Sequence, residues 1–178
     1  MPVSKRVKRE PKAVDVIVID RQNRPIVVGE ARWEPIPDSA ARSLVKGSRE
    51  HADRRVPYIL IADRERIRIY RGDEGAKRGP VFSTDSGPIL SYYSTFYRER
   101  RPERISEDLF LELVLVWIRD LSYRWKSKTS PPPAFEALDR LGLVRLLDDA
   151  LFNSEVRSGG YRLRRDELPD RPDPWTGA

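Results

Sequence analysis

Two pairs of apolar, β-branched segments, separated by one helical segment, constrain the fold of this chain more than any other feature. The first pair lies in residues 14–33 around a polar turn at 21–24, and the second lies in residues 58–71 around a turn at 63–65. Valine and isoleucine enrichment on both sides of a short polar turn is typical of a β-hairpin. The sequence therefore predicts two hairpins.

The segment between the hairpins has the periodicity of an amphipathic helix from residue 38 to about residue 52. Asp38 or Ser39 is the expected N-cap. A helix that connects two strands of one sheet places those strands parallel, whereas each hairpin is antiparallel. We therefore predict an α/β protein with a mixed β-sheet and a crossover helix, followed by C-terminal helices. The apolar residues of the crossover helix form one stripe: Ala40, Ala41, Leu44, Val45 and Ala52.

The second half of the sequence is predominantly helical. Ser106 is the expected N-cap of a long helix to about residue 125, with Glu107 and Asp108 in its first turn, where the helix dipole favours anions. Further expectations are a loop at 71–80, a short strand at 81–84, a short helix at 91–98 and a last helix at 134–152. We divide the chain into a basic N-terminal segment (1–12), an α/β core (13–100), a helical part of the same domain (101–157) and a mostly mobile tail (158–178).

Composition favours one intracellular domain. The chain has 178 residues, of which 39% are apolar and 35% charged, so it can bury a core despite its high charge. It has no cysteine and a single histidine, which excludes a disulfide framework and disfavours a zinc site. The start has no apolar signal-peptide region, and the most apolar run, 109–118, is too short to span a bilayer. We expect a soluble cytoplasmic protein without a membrane partner.

The net charge of +6 leaves two interpretations of the surface open. Clusters of arginine and lysine bind nucleic acids by displacing the counterions of the phosphates. The 34 basic residues are also spread along the chain among 28 acidic ones, which is the pattern of an ordinary solvated surface. Composition alone does not decide between a nucleic-acid partner and a charged surface without one.

One acidic residue lies near the outer end of each strand of the first hairpin. If Asp20 pairs with Pro25 across the turn, paired residue numbers sum to 45. Asp15 then lies opposite Glu30, and alternation places Arg32 on the same face. Like charges opposite each other in a sheet are destabilising unless a divalent cation, an arginine or a shared proton neutralises them. Mg²⁺, commonly held by one or two carboxylates, and a plain salt bridge to Arg32 both meet this requirement.

The candidate acids and the elements after them follow a distinctive order. Asp15 stands in VDVIVID, Glu30 and Arg32 stand in VGEARW, and the helix DSAARSLVKGSREHA and the strand PYILIA come next. Over residues 14–71, about a third of the chain, this order resembles the PD-(D/E)xK nuclease superfamily, which has the restriction-endonuclease-like fold. The resemblance implies a nuclease-like core in which Asp15 and Glu30 bind Mg²⁺. It also implies that Asp15, Glu30 and Arg32 form a catalytic site for DNA or RNA.

Two departures from the family pattern bear on activity. The family's lysine is Arg32 here, and the usual N-terminal helix, often the source of another acid, has little room before Asp15. A guanidinium can clamp a phosphate but stays protonated, so it is a poor replacement for a lysine in proton transfer. Some family members supply the lysine from the next helix, but Lys46 lies opposite the apolar stripe and should face solvent.

Two functions therefore stand as hypotheses. The first is a Mg²⁺-dependent phosphodiesterase, an endonuclease, with Asp15 and Glu30 as metal ligands and Arg32 as the phosphate clamp. The second is a catalytically inactive nuclease fold in which Arg32 closes onto the two acids. Such a protein would serve as a structural or assembly module, with a homodimer through the C-terminal helices as one form. The apolar run 109–118 is the expected packing surface, with a dimer interface as the alternative.

Overall fold

The computed structural model describes residues 14–52, 55–99, 105–122 and 131–152. Its strands are β1 (Val16–Ile19), β2 (Pro25–Ala31), β3 (Tyr58–Ala62), β4 (Arg66–Arg71), β5 (Phe82–Asp85) and β6 (Leu151–Phe152). Its helices are α1 (Asp38–His51), α2 (Ser86–Tyr93), α3 (Thr95–Arg98), α4 (Glu107–Ser122), α5 (Phe135–Arg140) and α6 (Leu143–Leu147), with a 3₁₀ helix, η1 (Gly75–Lys77), after β4.

The six strands form one mixed sheet in the order β5-β4-β3-β2-β1-β6, which confirms the predicted α/β class. The neighbours β1 and β2, β3 and β4, and β4 and β5 are antiparallel. The central neighbours β2 and β3 are parallel and are connected through α1, as the crossover prediction requires. Their register pairs Gly29 with Leu60 and Glu30 with Ile61.

Helices cover both faces of the sheet, and alternation along the central strands separates two cores. Ile59 and Ile61 of β3 pack with Val45 and its neighbours in α1, whereas Leu60 packs with the helices of the second half of the chain. The apolar run 109–118 belongs mainly to this second core, where Trp117 is fully buried. None of the described helices combines the length and the hydropathy that crossing a membrane requires.

A buried ion pair between Asp63 and Arg68 ties the end of β3 to the connection between β2 and α1. The Asp63 Oδ1 accepts hydrogen bonds from the N–H groups of Glu65 and Arg66, at 2.8 and 2.9 Å. Its Oδ2 lies 3.0 Å from Nη1 of Arg68 and accepts a bond from the Ile36 N–H at 3.2 Å. The Ile36 carbonyl in turn accepts a bond from Nη2 of Arg68 at 2.9 Å. These bonds offset the cost of burying two charges and hold the chain just after β2.

The last segment differs from the prediction of one helix at 134–152. The chain forms α5 and α6 and then β6, which pairs antiparallel with β1. The helix is interrupted at Gly142, whose φ of +83° lies in the left-handed region that favours glycine. A two-residue strand has no detectable periodicity, so β6 depends on its partner strand alone.

Other boundaries deviate for local reasons. Pro37 is the N-cap of α1 and no side chain caps that helix, so the predicted cap at Asp38 or Ser39 is wrong. An extended Ser94 splits the predicted helix at 91–98 between α2 and α3. Ser106 caps α4 as predicted, because its Oγ accepts a bond from the Leu109 N–H at 3.2 Å. Segment 1–12, the helix end expected near residue 125 and the tail 158–178 lie outside the described residues.

Gly29 provides a test of the parallel pairing at the centre of the sheet. A Cβ added at this position would lie 2.0 Å from the carbonyl oxygen of Leu60, so β2 and β3 would have to separate. We expect Gly29→Ala to lower the free energy of unfolding by more than about 2 kcal/mol, measured by urea denaturation.

Gly47→Ala is the matched control for this substitution. Apart from its chain neighbours and the backbone of α1, no described atom lies within 4 Å of a Cβ added at Gly47, which stands in the middle of α1. Alanine favours the helix over glycine by about 0.5–1 kcal/mol, so this variant should be more stable than the wild type. Similar effects of the two substitutions would contradict the close contact between β2 and β3.

Candidate functional site

Asp15 directly precedes β1 and lies at the same end of the sheet as Glu30 of β2. Over residues 16–18 the paired residue numbers sum to 45, as predicted, and the last pair at this end is Val16 with Gly29. The Asp15 N–H also donates a bond to the Gly29 carbonyl at 3.0 Å, which departs from this register by one residue. The charge of Glu30 acts on the Asp15 carboxylate, so the two acids are close, but their pairing directly opposite each other stays a prediction.

At the turn, the predicted pairing is wrong by one residue. A bulge after Val18 places Ile19, rather than Asp20, opposite Pro25. The Asp20 side chain closes the turn instead, because its Oδ1 accepts bonds from the N–H groups of Gln22 and Arg24 at 2.9 and 2.8 Å. A side chain that satisfies the turn backbone in this way releases Asp20 from the ladder.

The Asp15 carboxylate lies in a partly buried position that disfavours its charge. Burial is the largest cause and raises the pKa of Asp15, although a bond from the Ala31 N–H to its Oδ2 at 3.2 Å opposes this effect. The negative charge of Glu30 raises the pKa further, and the positive charge of Arg32 lowers it. The pKa of Asp15 thus lies above its ordinary value of 3.8.

Glu30 is almost fully buried and is bound to Arg32. Only 4% of Glu30 is exposed, and its Oε2 accepts a hydrogen bond from Nη2 of Arg32. The Arg32 side chain is 36% exposed, so the guanidinium lies between the buried carboxylate and solvent. The Arg32 N–H continues the parallel ladder by donating to the Ala62 carbonyl at 3.0 Å. The three residues singled out in the sequence therefore form one cluster.

A further acid, Glu107, lies near this cluster and was missed as a site residue. It is the exposed first residue of α4, and its charge also raises the pKa of Asp15. The start of α4 reaches this end of the sheet because Phe110 packs edge-on against Trp33, with ring centroids 5.9 Å apart. No local pattern indicates this approach, since the two segments are more than 70 residues apart.

Exposed positive charge lies at the same end of the sheet. The guanidinium of Arg64, just after β3, lies 5.9 Å from the ring centroid of Trp33, which directly follows Arg32. Cation–π contact keeps such a guanidinium near the ring while it remains solvated. Arg32 and Arg64 together can attract an anion to the solvent-facing side of the acidic cluster, the pair of carboxylates of Asp15 and Glu30.

The acidic cluster fits Mg²⁺ as a site of two carboxylates. Among the described residues, the Oδ1 of Asp15 and the Oε1 of Glu30 accept no hydrogen bond, so one oxygen of each carboxylate is available. Mg²⁺ is commonly held by one or two carboxylates, with water and substrate phosphate as the other ligands. The described part of the chain contains no group of three or more acidic, histidine or cysteine side chains arranged for a metal.

Lys46 does not join this cluster. It is exposed on the side of α1 away from the sheet, as the helical periodicity predicts. The cationic side chain of the candidate site is therefore Arg32, and no lysine from α1 replaces it.

Comparisons with protein-family models, curated proteins and solved structures found no match to this chain. The resemblance to the PD-(D/E)xK superfamily therefore stays a prediction from residues 14–71. The chemistry of the site has to be argued from its own side chains.

The pH dependence of stability tests the electrostatic cost at Asp15. Below pH 3.8 the Asp15 carboxyl is protonated in both the unfolded and the folded states, so its charge does not lower the free energy of unfolding. Above its raised folded-state pKa it is charged in both states, and the folded state carries the full cost. We expect Asp15→Asn to have a higher Tm than the wild type at pH 7, and the two to converge as the pH falls below 3.8.

Glu34→Gln is the control, because it removes one acid from an exposed position close to the cluster. Its effect on Tm should be small at every pH, as for most surface substitutions. A Tm of Asp15→Asn below that of the wild type at pH 7 would contradict the proposed cost.

Proposed function

We propose that the protein is a restriction-endonuclease-like, Mg²⁺-dependent nuclease that hydrolyses the phosphodiesters of DNA or RNA. The observation that supports this most is the proximity of Asp15, just before β1, to Glu30 of β2, with Arg32 bound to Glu30 and partly exposed. Burying the Asp15 carboxylate near Glu30 costs stability, because burial above all, and the charge of Glu30 in addition, raise the pKa of Asp15. Such a cost is typical of functional sites.

Asp15 and Glu30 would hold the ion, which supplies electrostatic stabilisation for the phosphate under attack. Arg32 would bind the phosphate of the substrate. Its planar guanidinium can exchange the Glu30 carboxylate for two oxygens of a phosphate, and this exchange frees the Oε2 of Glu30. Because arginine stays protonated, Arg32 orients and stabilises the phosphate but transfers no proton. Arg64 adds positive charge at the entrance.

The second candidate function is an inactive nuclease fold that acts as a structural or assembly module. The bond from Arg32 to Glu30 favours it, because it neutralises the buried carboxylate within the chain. On α4 and α6, Val116 and Leu146 are large apolar side chains that are 43% and 42% exposed. A homodimer through these helices is the form of assembly that we propose under this alternative.

Cleavage assays with mixed DNA and RNA substrates test the nuclease proposal. We expect hydrolysis that requires Mg²⁺ and that falls by roughly 100-fold or more in Glu30→Gln, the loss expected for a group that stabilises the transition state. The exposed Glu34→Gln should retain wild-type activity.

Thermal unfolding with and without Mg²⁺ measures binding of the ion separately from cleavage. Mg²⁺ should raise the Tm of the wild type but not that of Glu30→Gln. Absence of both cleavage and this rise in Tm would overturn the nuclease proposal and leave the assembly module.

Substitutions of Arg32 distinguish two roles for this residue: binding of the substrate phosphate, and a salt bridge to Glu30 that takes no part in catalysis. Arg32→Lys introduces the family's residue, and a compact ammonium can contact the attacking water and the scissile phosphate. We therefore expect Arg32→Lys to cleave at least as fast as the wild type and Arg32→Gln to lose roughly 100-fold. If Arg32→Gln cleaves as fast as the wild type, Arg32 has no part in the reaction.

A further inference from the structure

A second surface with the chemistry of a binding site lies on the outer side of α1. Here an open groove with a volume of about 450 Å³ lies between α1 and η1. Four cationic side chains and two hydroxyl groups line most of it: Arg42, Lys46, Arg49, Lys77, Ser39 and Ser43. The groove shares no lining residue with the acidic cluster of Asp15 and Glu30.

The sequence of α1 produces this stripe by its spacing. Arg42, Lys46 and Arg49 are separated by four and three residues, so they lie on one side of the helix. Leu44 and Val45 pack against the sheet, and the cationic row lies beside this apolar stripe, about 100° around the helix. This pattern alone is that of a solvated helix face. The approach of η1, which places Lys77 beside the same stripe, turns the face into a groove.

The four cations of the groove form no close ion pairs within the described chain. None of the four cations forms a salt bridge with a residue that the structure describes. Glu74, the acid in the lining, lies 3.1 Å from Arg78, which is outside the groove. The Nε of Arg49 is buried and has no hydrogen-bond partner among the residues that the structure describes. Four like charges held together in this way favour an anionic ligand.

The absence of a side chain at Gly75 leaves room for the guanidinium of Arg49. Its φ of +59° is in the left-handed region, and an added Cβ would lie 3.2 Å from Nη1 of Arg49. Glycine at this position therefore lets η1 approach the guanidinium closely. A side chain at this position would press against the guanidinium of Arg49.

The dimensions favour an extended polyanion over a compact one. With a rise of about 1.5 Å per residue, Arg42 and Arg49 are separated by about 10 Å along α1. A single phosphate can contact one end of this row, whereas successive phosphates of a nucleic acid strand can follow all of it. No aromatic side chain is among the residues that line the groove, so it has no surface on which bases could stack.

We propose that the groove between α1 and η1 binds the phosphate backbone of a nucleic acid strand, independently of base sequence. The choice of nucleic acid as the polyanion rests on the proposed nuclease function, but the groove and the acidic cluster act separately. Arg42, Lys46, Arg49 and Lys77 contact the phosphates, and the hydroxyls of Ser39 and Ser43 donate hydrogen bonds. The groove would hold a substrate strand while the cluster acts on it.

Fluorescence anisotropy with a labelled 20-nucleotide single strand tests this proposal in the presence of EDTA, which prevents cleavage. The groove variant is Arg42→Gln/Lys46→Gln. The matched control is Arg140→Gln/Arg145→Gln, two exposed positions on α5 and α6, across the sheet from α1. Both double variants lower the net charge from +6 to +4, so they differ only in where the charge is lost.

We expect the groove variant to bind at least about 10-fold more weakly than the wild type at 0.1 M salt. Its plot of log K against log salt should have a slope smaller by about 1.4, for two lost phosphate contacts to a single strand. The control should bind within about 2-fold of the wild type. Lys77→Gln, which changes η1 instead of α1, should weaken binding in the same direction and serves if the double variant does not fold.

Equal binding by the groove and control variants would overturn the proposal. So would displacement of the strand by inorganic phosphate at a concentration that matches its phosphate content, because the groove would then be a site for a small anion. Glu30→Gln leaves the groove intact and removes a charge that competes with phosphate for Arg32, so it should bind the strand at least as tightly as the wild type. Loss of cleavage in Glu30→Gln without loss of binding therefore tests the nuclease, and loss of binding in the groove variant tests the groove.

Discussion

The parallel contact between β2 and β3 is the interaction on which the rest of the structure depends. Each hairpin closes through local pairing, but only this contact joins the two into one sheet and requires α1 to cross between them. Gly29 allows it, because a side chain there would collide with the carbonyl of Leu60. It also makes β2 a central strand, so Glu30, paired with Ile61 of β3, lies in a buried position.

The burial of Glu30 explains why Arg32 has such weight for function. A carboxylate that is 4% exposed needs a partner, and the next residue on the same face of the strand supplies one. The same bond has two consequences. It stabilises the fold without a metal, and it occupies one of the oxygens that a metal or a substrate-bound state would use. Under the proposed nuclease function, activity would depend on whether a phosphate competes successfully with Glu30 for the guanidinium.

The acidic cluster and the cationic groove would divide the handling of a nucleic acid strand between them. The cluster concentrates negative charge at one end of the sheet, and Arg32 and Arg64 add positive charge at its entrance. The groove between α1 and η1 holds four cations that form no close ion pairs within the described chain, and it has no stacking surface. The two surfaces are compatible with each other. The groove would contact phosphates and the cluster would act on a phosphodiester, so neither would distinguish between bases.

The sequence by itself determined the features that arise from neighbours along the chain. Periodicity predicted both hairpins, α1 and the parallel crossover, and the predicted pairing sum of 45 holds over residues 16–18, although the turn at Asp20 differs. Only the tertiary structure decided that Arg32 binds Glu30, that Glu107 approaches Asp15, that β6 completes the sheet and that η1 closes the groove over Arg49. These features depend on packing between distant segments, such as Phe110 against Trp33, and no local pattern encodes such contacts.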